Sequence, residues 1–265
     1  MAASRHVPDL SDPRYLDEVG WFLCHEEFHY EEGGVTYAEQ RIINARIQLD
    51  EFLTAVGHDE DWLADKSALS IGAGCTGDLA AWPCRYKVAA DPLMIVYQRL
   101  GMLIKDACGG RTQFIAAPAE ALPLLDAHVD IVYCRNALNH MAEPAAALDE
   151  VARVLKPGGM LFVDVDLDGT PTPDEPVVFT PESLQRIVGH QFDVVRWRDR
   201  DRPHSRHSPR RCELLAIHRQ DYRAAHFDRR ALLRAYLKHC RELGVAPDSG
   251  RSVPTEAAGA QKTDR

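Results

Sequence analysis

Residues 68–79, Ala-Leu-Ser-Ile-Gly-Ala-Gly-Cys-Thr-Gly-Asp-Leu, restrict the folds open to this chain more than any other stretch. The apolar run 68–71 reads as a short buried strand. Gly72, Gly74 and Gly77 break it, and Asp78 and Leu79 begin a helix-compatible segment. A strand that runs into a glycine turn and then a helix offers bare backbone to a ligand. The N–H groups at such a helix start attract anionic or polar groups. The next strand-like run, 86–90, ends at Asp91, seventeen residues after Gly74. An acid at that place can accept hydrogen bonds from two ribose hydroxyls.

Composition narrows the field of partners. The chain is 265 residues long and 45% apolar, ordinary for a globular protein and enough for one large domain or one domain with a cap. A net charge of −9 argues against a general nucleic-acid binder, which is usually basic. The start, Met-Ala-Ala-Ser-Arg-His-Val-Pro, lacks the apolar centre of a signal peptide, and no apolar run is long enough to cross a bilayer. The seven cysteines are scattered without Cys-x-x-Cys spacing, which reads as reduced thiols in a cytoplasm.

In chain order, 1–12 reads as loosely attached. A helix is expected over 13–30, with Asp12 as N-cap, Pro13 first, and Tyr15, Trp21, Phe22, Phe28 and Tyr30 as a dense aromatic set. Gly33 and Gly34 break it. A second amphipathic helix is expected over 37–56, stopped by Gly57. Together 1–66 read as a helical cap over the mouth of a sheet, or as helices packed on that sheet. The first helix holds His25-Glu26-Glu27-Phe28-His29, a His-Glu-x-x-His spacing that places two imidazoles on one face. Asp50 and Glu51 are the candidate third ligands, neither in a convincing context, so the reading assigns no metal; a zinc hydrolase stays as a hypothesis for metal analysis to decide.

After the glycines a helix is expected over 76–82, ended by Pro83, and another over 93–105. Strands are expected over 112–116 and 129–134, the latter feeding Arg135-Asn136-Ala137-Leu138-Asn139-His140. A helix over 144–155 leads through the turn Lys156-Pro157-Gly158-Gly159 into a strand over 160–165. Asp164, Asp166 and Asp168 alternate along that strand and past it; they can bind a cation or a cationic substrate, but read first as a solvated strand end. Thr180 caps a helix over 181–188, and strands over 192–197 and 212–218 form a hairpin. The arginine-rich connection 198–211 can clamp a carboxylate or phosphate, but reads first as a solvated charged turn. Residues 221–265 hold a helix over 229–243 and a tail of disordered composition.

The glycine loop, the acid at 91 and the Leu-Lys-Pro-Gly-Gly before an apolar strand together resemble the class I S-adenosylmethionine-dependent methyltransferases, of the type 11 group. The resemblance covers 69–165 well. It implies a Rossmann-like α/β fold, with a seven-stranded mostly parallel sheet, helices on both faces and an N-terminal helical cap. Residues 67–220 form the cofactor-binding domain. It implies S-adenosyl-L-methionine as cofactor, held by Ser70, Gly72, Gly74, Gly77, Asp91 and Pro92, by Ala119 and Glu120 of the Ala-Pro-Ala-Glu-Ala-Leu-Pro segment, and by Asn136. Asn139 and His140 are the candidates for chemistry, His140 as general base because its free pKa lies near neutrality. Trp82 is a third candidate, stacking on the sulfonium, with the core as the alternative. Methyl transfer to a small molecule is the leading reaction, without nucleic acid or membrane; a homodimer is left open.

Three positions depart from the family. Thr76 stands where its third glycine falls, Pro118 where it often has an aspartate that reads the adenine, and Ser70 where it carries an acid that pairs with the cofactor's ammonium. A hydroxyl raises the amine pKa far less than a carboxylate does. That suggests an alternative, in which the cofactor's own amine attacks its γ-carbon, forms a four-membered azetidine amino acid and expels methylthioadenosine. A fold that binds the cofactor without turnover is the remaining reading.

Overall fold

A computed structural model describes residues 12–28, 36–75, 78–103, 112–201 and 203–219. The chain divides into two units, 1–224 and 225–265, and every described residue belongs to the first. The tail helix expected over 229–243, the Gly33-Gly34 break, His29 and Gly77 lie outside the described residues, as do the side chains of His25 to Phe28.

Seven strands form one sheet in the order β3-β2-β1-β4-β5-β7-β6. The first five, β1 (Ser67–Ile71), β2 (Tyr86–Ala90), β3 (Thr112–Ile115), β4 (Val129–Arg135) and β5 (Leu155–Leu167), run parallel. The hairpin β6 (Phe192–Arg200) and β7 (Arg210–His218) adds two antiparallel strands, β7 pairing with β5. The central strands are apolar throughout because both faces are covered. Leu69, Ile71, Val132 and Cys134 pack toward one core, with α4 (Pro144–Val154) and α5 (Pro181–Val188). Ala68, Ile131, Tyr133 and Phe162 pack toward the other.

That second core decides what the first helices do. Helix α1 spans Pro13–Phe28 and α2 spans Tyr37–Val56. Helix α2 begins at a Thr36–Glu39 capping box and ends at Gly57 in the left-handed conformation, φ 75°. Its C-terminal half buries Leu49 and Phe52 completely on the sheet; the Phe52 ring lies 4.4 Å from Trp82 and 5.8 Å from Phe162. Burial of a side chain such as Phe52 contributes about 1.5–3 kcal/mol. Its N-terminal half instead faces the open end of the sheet, so α2 both packs on the sheet and caps it.

Three elements differ from expectation. The segment after the glycines is only a 3-10 turn, Asp78–Ala81, because Pro83 leaves no room for an α-helical nucleus. Helix α3 is the short Met94–Leu100, closed by Gly101 at φ 73°. Residues 156–159 are part of β5 rather than a free turn: Leu155 pairs with Val129, and the irregularity between Val129 and Ile131 absorbs the Pro-Gly-Gly.

Candidate functional site

The carboxyl ends of β1, β2, β4 and β5 meet at one edge of the sheet, where open α/β folds place their ligands. At β1 the chain turns through Gly72 (φ 63°) and Gly74 (φ 59°), both left-handed. A Cβ on Gly72 would collide with the Ala137 side chain of the β4 turn. A Cβ on Gly74 would come within 3.1 Å of Phe22 of α1. Phe22 in turn carries the Arg41 guanidinium of α2, 5.2 Å from its ring centre. The cap helices therefore rest directly on the glycine loop.

Asp91 follows β2 and is 7% exposed. Its Oδ2 accepts a hydrogen bond from Gly74 N at 2.9 Å and its Oδ1 one from Leu93 N at 2.8 Å. Burial pushes its pKa up to about 6, against the pull of those two bonds. Ser70 is fully buried, and its hydroxyl donates to Asp78 Oδ2 at 3.2 Å. A carboxylate thus reaches the end of β1 from the far side of the loop. Burial raises the Asp78 pKa, with Arg41 and Arg135 opposing.

At β4, Asn136 adopts φ 46°, its N–H donating to Asp164 O at 2.7 Å. Leu138–His140 form a 3-10 turn. Asn139 is 2% exposed, and its side-chain oxygen has no hydrogen-bond partner among the described residues. His140 Nε2 lies 3.8 Å from Glu175 Oε1. Burial lowers the His140 pKa, with Asp174 opposing, which keeps the ring neutral at neutral pH.

The acids of β5 are not a solvated strand end. Asp164 and Asp166 are 1% and 4% exposed. Asp166 accepts from the backbone N–H groups of His204 (2.8 Å) and Ser205 (2.7 Å). Asp164 faces Arg211 at 3.1 Å, His204 at 3.1 Å and Arg135 at 3.4 Å. Burial alone would raise its carboxyl, but His204 and the two arginines hold it below the usual range. Asp168 pairs with Arg210 at 2.7 Å. The arginine-rich connection is likewise not a solvated turn: these bonds fold it back over β5 as a strap, and its Arg200 is taken by Glu213 at 2.7 Å. Replacing Asp166 by alanine orphans two strap N–H groups. We expect a loss of about 3 kcal/mol in urea unfolding, from two charge-assisted bonds, and faster hydrogen exchange at 204–207. Unchanged exchange there would refute the strap.

These pieces enclose a cavity of about 890 Å³. Its wall includes Gly72, Gly74, Asn136 and His140 among the expected residues. Ser70, Asp91, Pro92 and Asn139 lie outside the wall, Pro92 between Asp91 and α3. Ala119 and Glu120 sit in a 3-10 turn (Ala119–Ala121), where Glu120 Oε1 accepts from Ala142 N and Glu143 N at 3.1 and 3.2 Å. Trp82 is corrected: it is fully buried against Phe52 and Tyr133, 5.3 Å from the latter, and forms no part of the wall. Sequence reasoning missed Glu18, Arg41 and Gln48 of the cap helices, and Asp174, Glu175 and His204. Their burial depends on packing between distant segments, so no local pattern marked them. No group of metal-ligating side chains occurs among the described residues.

A family profile described as "Methyltransferase domain" matches residues 69–163. A ubiquinone/menaquinone biosynthesis C-methyltransferase of Francisella philomiragia is 35% identical over 98 residues, 34% of this chain and 39% of that protein. An uncharacterized methyltransferase of Mycobacterium tuberculosis is 35% identical over 142 residues, 51% of this chain and 53% of that protein. The chain thus spans about half, or less, of the length of these curated relatives. Among solved structures, the 1,6-didemethyltoxoflavin-N1-methyltransferase of Burkholderia thailandensis, with 1,6-didemethyltoxoflavin and S-adenosylhomocysteine bound, is 18% identical. It superposes with a TM-score of 0.50, covering 80% of this chain and 92% of that one. At that identity the likeness concerns the fold.

Proposed function

We propose, from the methyltransferase-domain match over residues 69–163, that the chain is a class I S-adenosylmethionine-dependent methyltransferase and moves the cofactor's methyl group to a small-molecule acceptor. The observation that carries this reading is the cavity itself. At about 890 Å³ it lies near the top of the range of roughly 300–1,000 Å³ for small-ligand sites, room for a cofactor and a small acceptor together.

The residues fit such a cofactor. The left-handed turn at Gly72 and Gly74 presents bare backbone on the cavity wall, where Ala137 and Phe22 pack too closely for a Cβ. Each Asp91 oxygen accepts one backbone bond and keeps a lone pair for a ribose hydroxyl. Asp78 is placed beside Ser70 to hold the ammonium of the amino-acid end. Ala119 and Glu120 stay candidates for the adenine, with Glu120 Oε1 already engaged. When bound, the cofactor supplies an electrophilic methyl carbon on a sulfonium. His140, neutral and on the cavity wall, removes the proton from the acceptor, and the strap and cap helices keep bulk water out.

The alternative of self-cyclisation drew on Ser70 having replaced an acid. Asp78, 3.2 Å from that hydroxyl, returns a carboxylate to the site and removes the reason to expect a neutral amine there. Incubating the protein with S-adenosylmethionine alone, and with candidate acceptors, then quantifying products by mass spectrometry, tests both. Adenosylhomocysteine appearing only with an acceptor supports methyl transfer. Methylthioadenosine from the cofactor alone would overturn it, and no binding heat in calorimetry would remove the cofactor assignment.

A further inference from the structure

We infer that the nucleophile this cavity accommodates is an amine, which enters as an ammonium, is gathered by Glu18, Asp174 and Glu175, and gives its proton to His140. The inference rests on the cofactor-binding part of the proposed function, not on the identity of the acceptor.

The cavity wall carries five carboxyls from α1, the glycine turn and the 172–177 loop: Asp17, exposed, and Glu18, Asp78, Asp174 and Glu175. Three arginines share the wall: Arg206 of the strap, exposed, and Arg41 and Arg135 from α2 and β4. Asp78 lies within the field of Arg41 and Arg135, and Arg135 is also held by Asp164 at 3.4 Å and Glu51 at 3.6 Å. Glu18, Asp174 and Glu175 crowd one another, the fields of Asp174 and Glu175 both acting on Glu18 against that of Arg41. Hydrogen bonds fix the two loop acids in place. Thr172 Oγ1 donates to Asp174 at 2.6 Å and accepts from Glu175 N at 3.0 Å, and Val177 N donates to Asn139 O at 3.2 Å. The side-chain oxygens of Gln48 and Asn136, also on the wall, are buried without a hydrogen-bond partner among the described residues. The wall is therefore rich in acceptors and in negative charge, and is matched by a ligand group that is positive and rich in N–H donors.

The reaction's charge balance points the same way. A neutral amine forms its bond to a carbon on the sulfonium with its lone pair; that carbon–sulfur bond breaks, its electron pair stays on sulfur, and the positive charge passes to nitrogen. One proton goes to His140 Nε2 before the attack. Positive charge persists along this path, and the carboxyls stabilise it throughout. A phenolate or carbanion would instead bring negative charge into an acidic, poorly solvated cavity. Burial raises the Glu18 pKa to about 7, with Asp91 and Asp174 adding and Arg41 opposing, so a cation arriving at this wall favours ionisation of that carboxyl.

The amine belongs to a separate substrate, because the cofactor's own α-ammonium is assigned to Asp78 beside Ser70. The full chain saturated with S-adenosylhomocysteine is titrated in a calorimeter with ethylamine, putrescine and benzylamine, and with the alcohols of the same skeletons. An amine should bind about tenfold or more tightly than its matched alcohol. Glu175→Gln, checked for folding by circular dichroism, should erase the difference. In parallel, S-adenosylmethionine is incubated alone and with the same amines; adenosylhomocysteine should form only with an amine, and methylthioadenosine in the first arm overturns the assignment of the amine to a separate substrate. In His140→Gln the rate should fall about a hundredfold and recover as pH rises toward the amine's own pKa. In the wild type it should level off above a limb below the ordinary imidazole range, since burial lowers the His140 pKa against the opposing carboxyls of Asp174, Asp166 and Glu175 that face it, with His204 beside them. Equal binding of amines and alcohols overturns the inference. So does turnover confined to phenols or carbon acids. Loss of adenosylhomocysteine binding altogether would instead strike the cofactor assignment.

Discussion

Gly72→Ala should lower the unfolding free energy by about 3 kcal/mol and abolish cofactor binding, because two penalties fall on one methyl group. The first is conformational: at φ 63° an L-residue is held left-handed, at a cost of roughly 1–2 kcal/mol. The second is steric, since the new Cβ meets Ala137, whose backbone begins the turn to Asn136 and His140. Forcing a methyl into a packed contact costs about 1–3 kcal/mol more. The loop and the β4 turn must then separate at the point where the ligand would lie. Gly57→Ala is the internal control. It has φ 75°, but nothing lies within 4 Å of its built Cβ, so it carries the conformational cost alone and leaves the cavity intact. Urea midpoints for both variants, with adenosylhomocysteine calorimetry, decide the matter. Equal destabilisation would mean that the Gly72–Ala137 contact relaxes freely.

Residue 72 is also where sequence reading served best. A glycine after a buried strand carries its own geometric reason, as does Gly57 after an amphipathic run, and α2 lies over the residues its periodicity indicated. The family's sheet was legible for the same reason: parallel strands buried on both faces appear as apolar runs. What local pattern misled on was charge. Asp164, Asp166, Arg210 and Arg211 look like solvated residues because that is their usual fate. Their partners across the β5–β7 pairing lie 38 to 47 positions away in the chain, visible only once those strands are paired. An acid at every second position of a strand otherwise made of Leu, Phe and Val was the available signal, since a buried carboxylate demands partners. Trp82 misled in the opposite sense. Its nearness in sequence to the glycine loop suggested the site, but the truncated turn at Asp78–Ala81 delivers its ring to the opposite core beside Phe52. His25 and His29 stay untouched by the structure, because their side chains lie outside the described residues.

Asp91→Asn should weaken cofactor binding by about 1–3 kcal/mol at pH 7.5 through lost charge on the ribose hydroxyl bonds, and it should also remove a pH dependence. In the free protein the Asp91 carboxyl is raised to about 6 from the unfolded 3.8, principally by burial, with Asp78 adding to the rise and Glu18 close enough to feel its charge. A raised acid pKa means the folded state holds its proton more tightly. Ionisation therefore costs the fold about 3 kcal/mol above pH 6 and nothing below pH 4, with the loss developing between them. Two hydroxyl donors and a nearby sulfonium favour the ionised form, so binding below pH 6 must release the proton. Wild-type affinity should fall about tenfold per pH unit on going from 6 toward 5, and hold steady from 7 to 8. The asparagine variant should be weaker at neutral pH yet much flatter across that window, its remaining slope set by Glu18. Calorimetry in buffers of different ionisation enthalpy reads the released proton directly. If the wild type releases none at pH 5.5, or the variant keeps the full slope, the ribose is not held by Asp91.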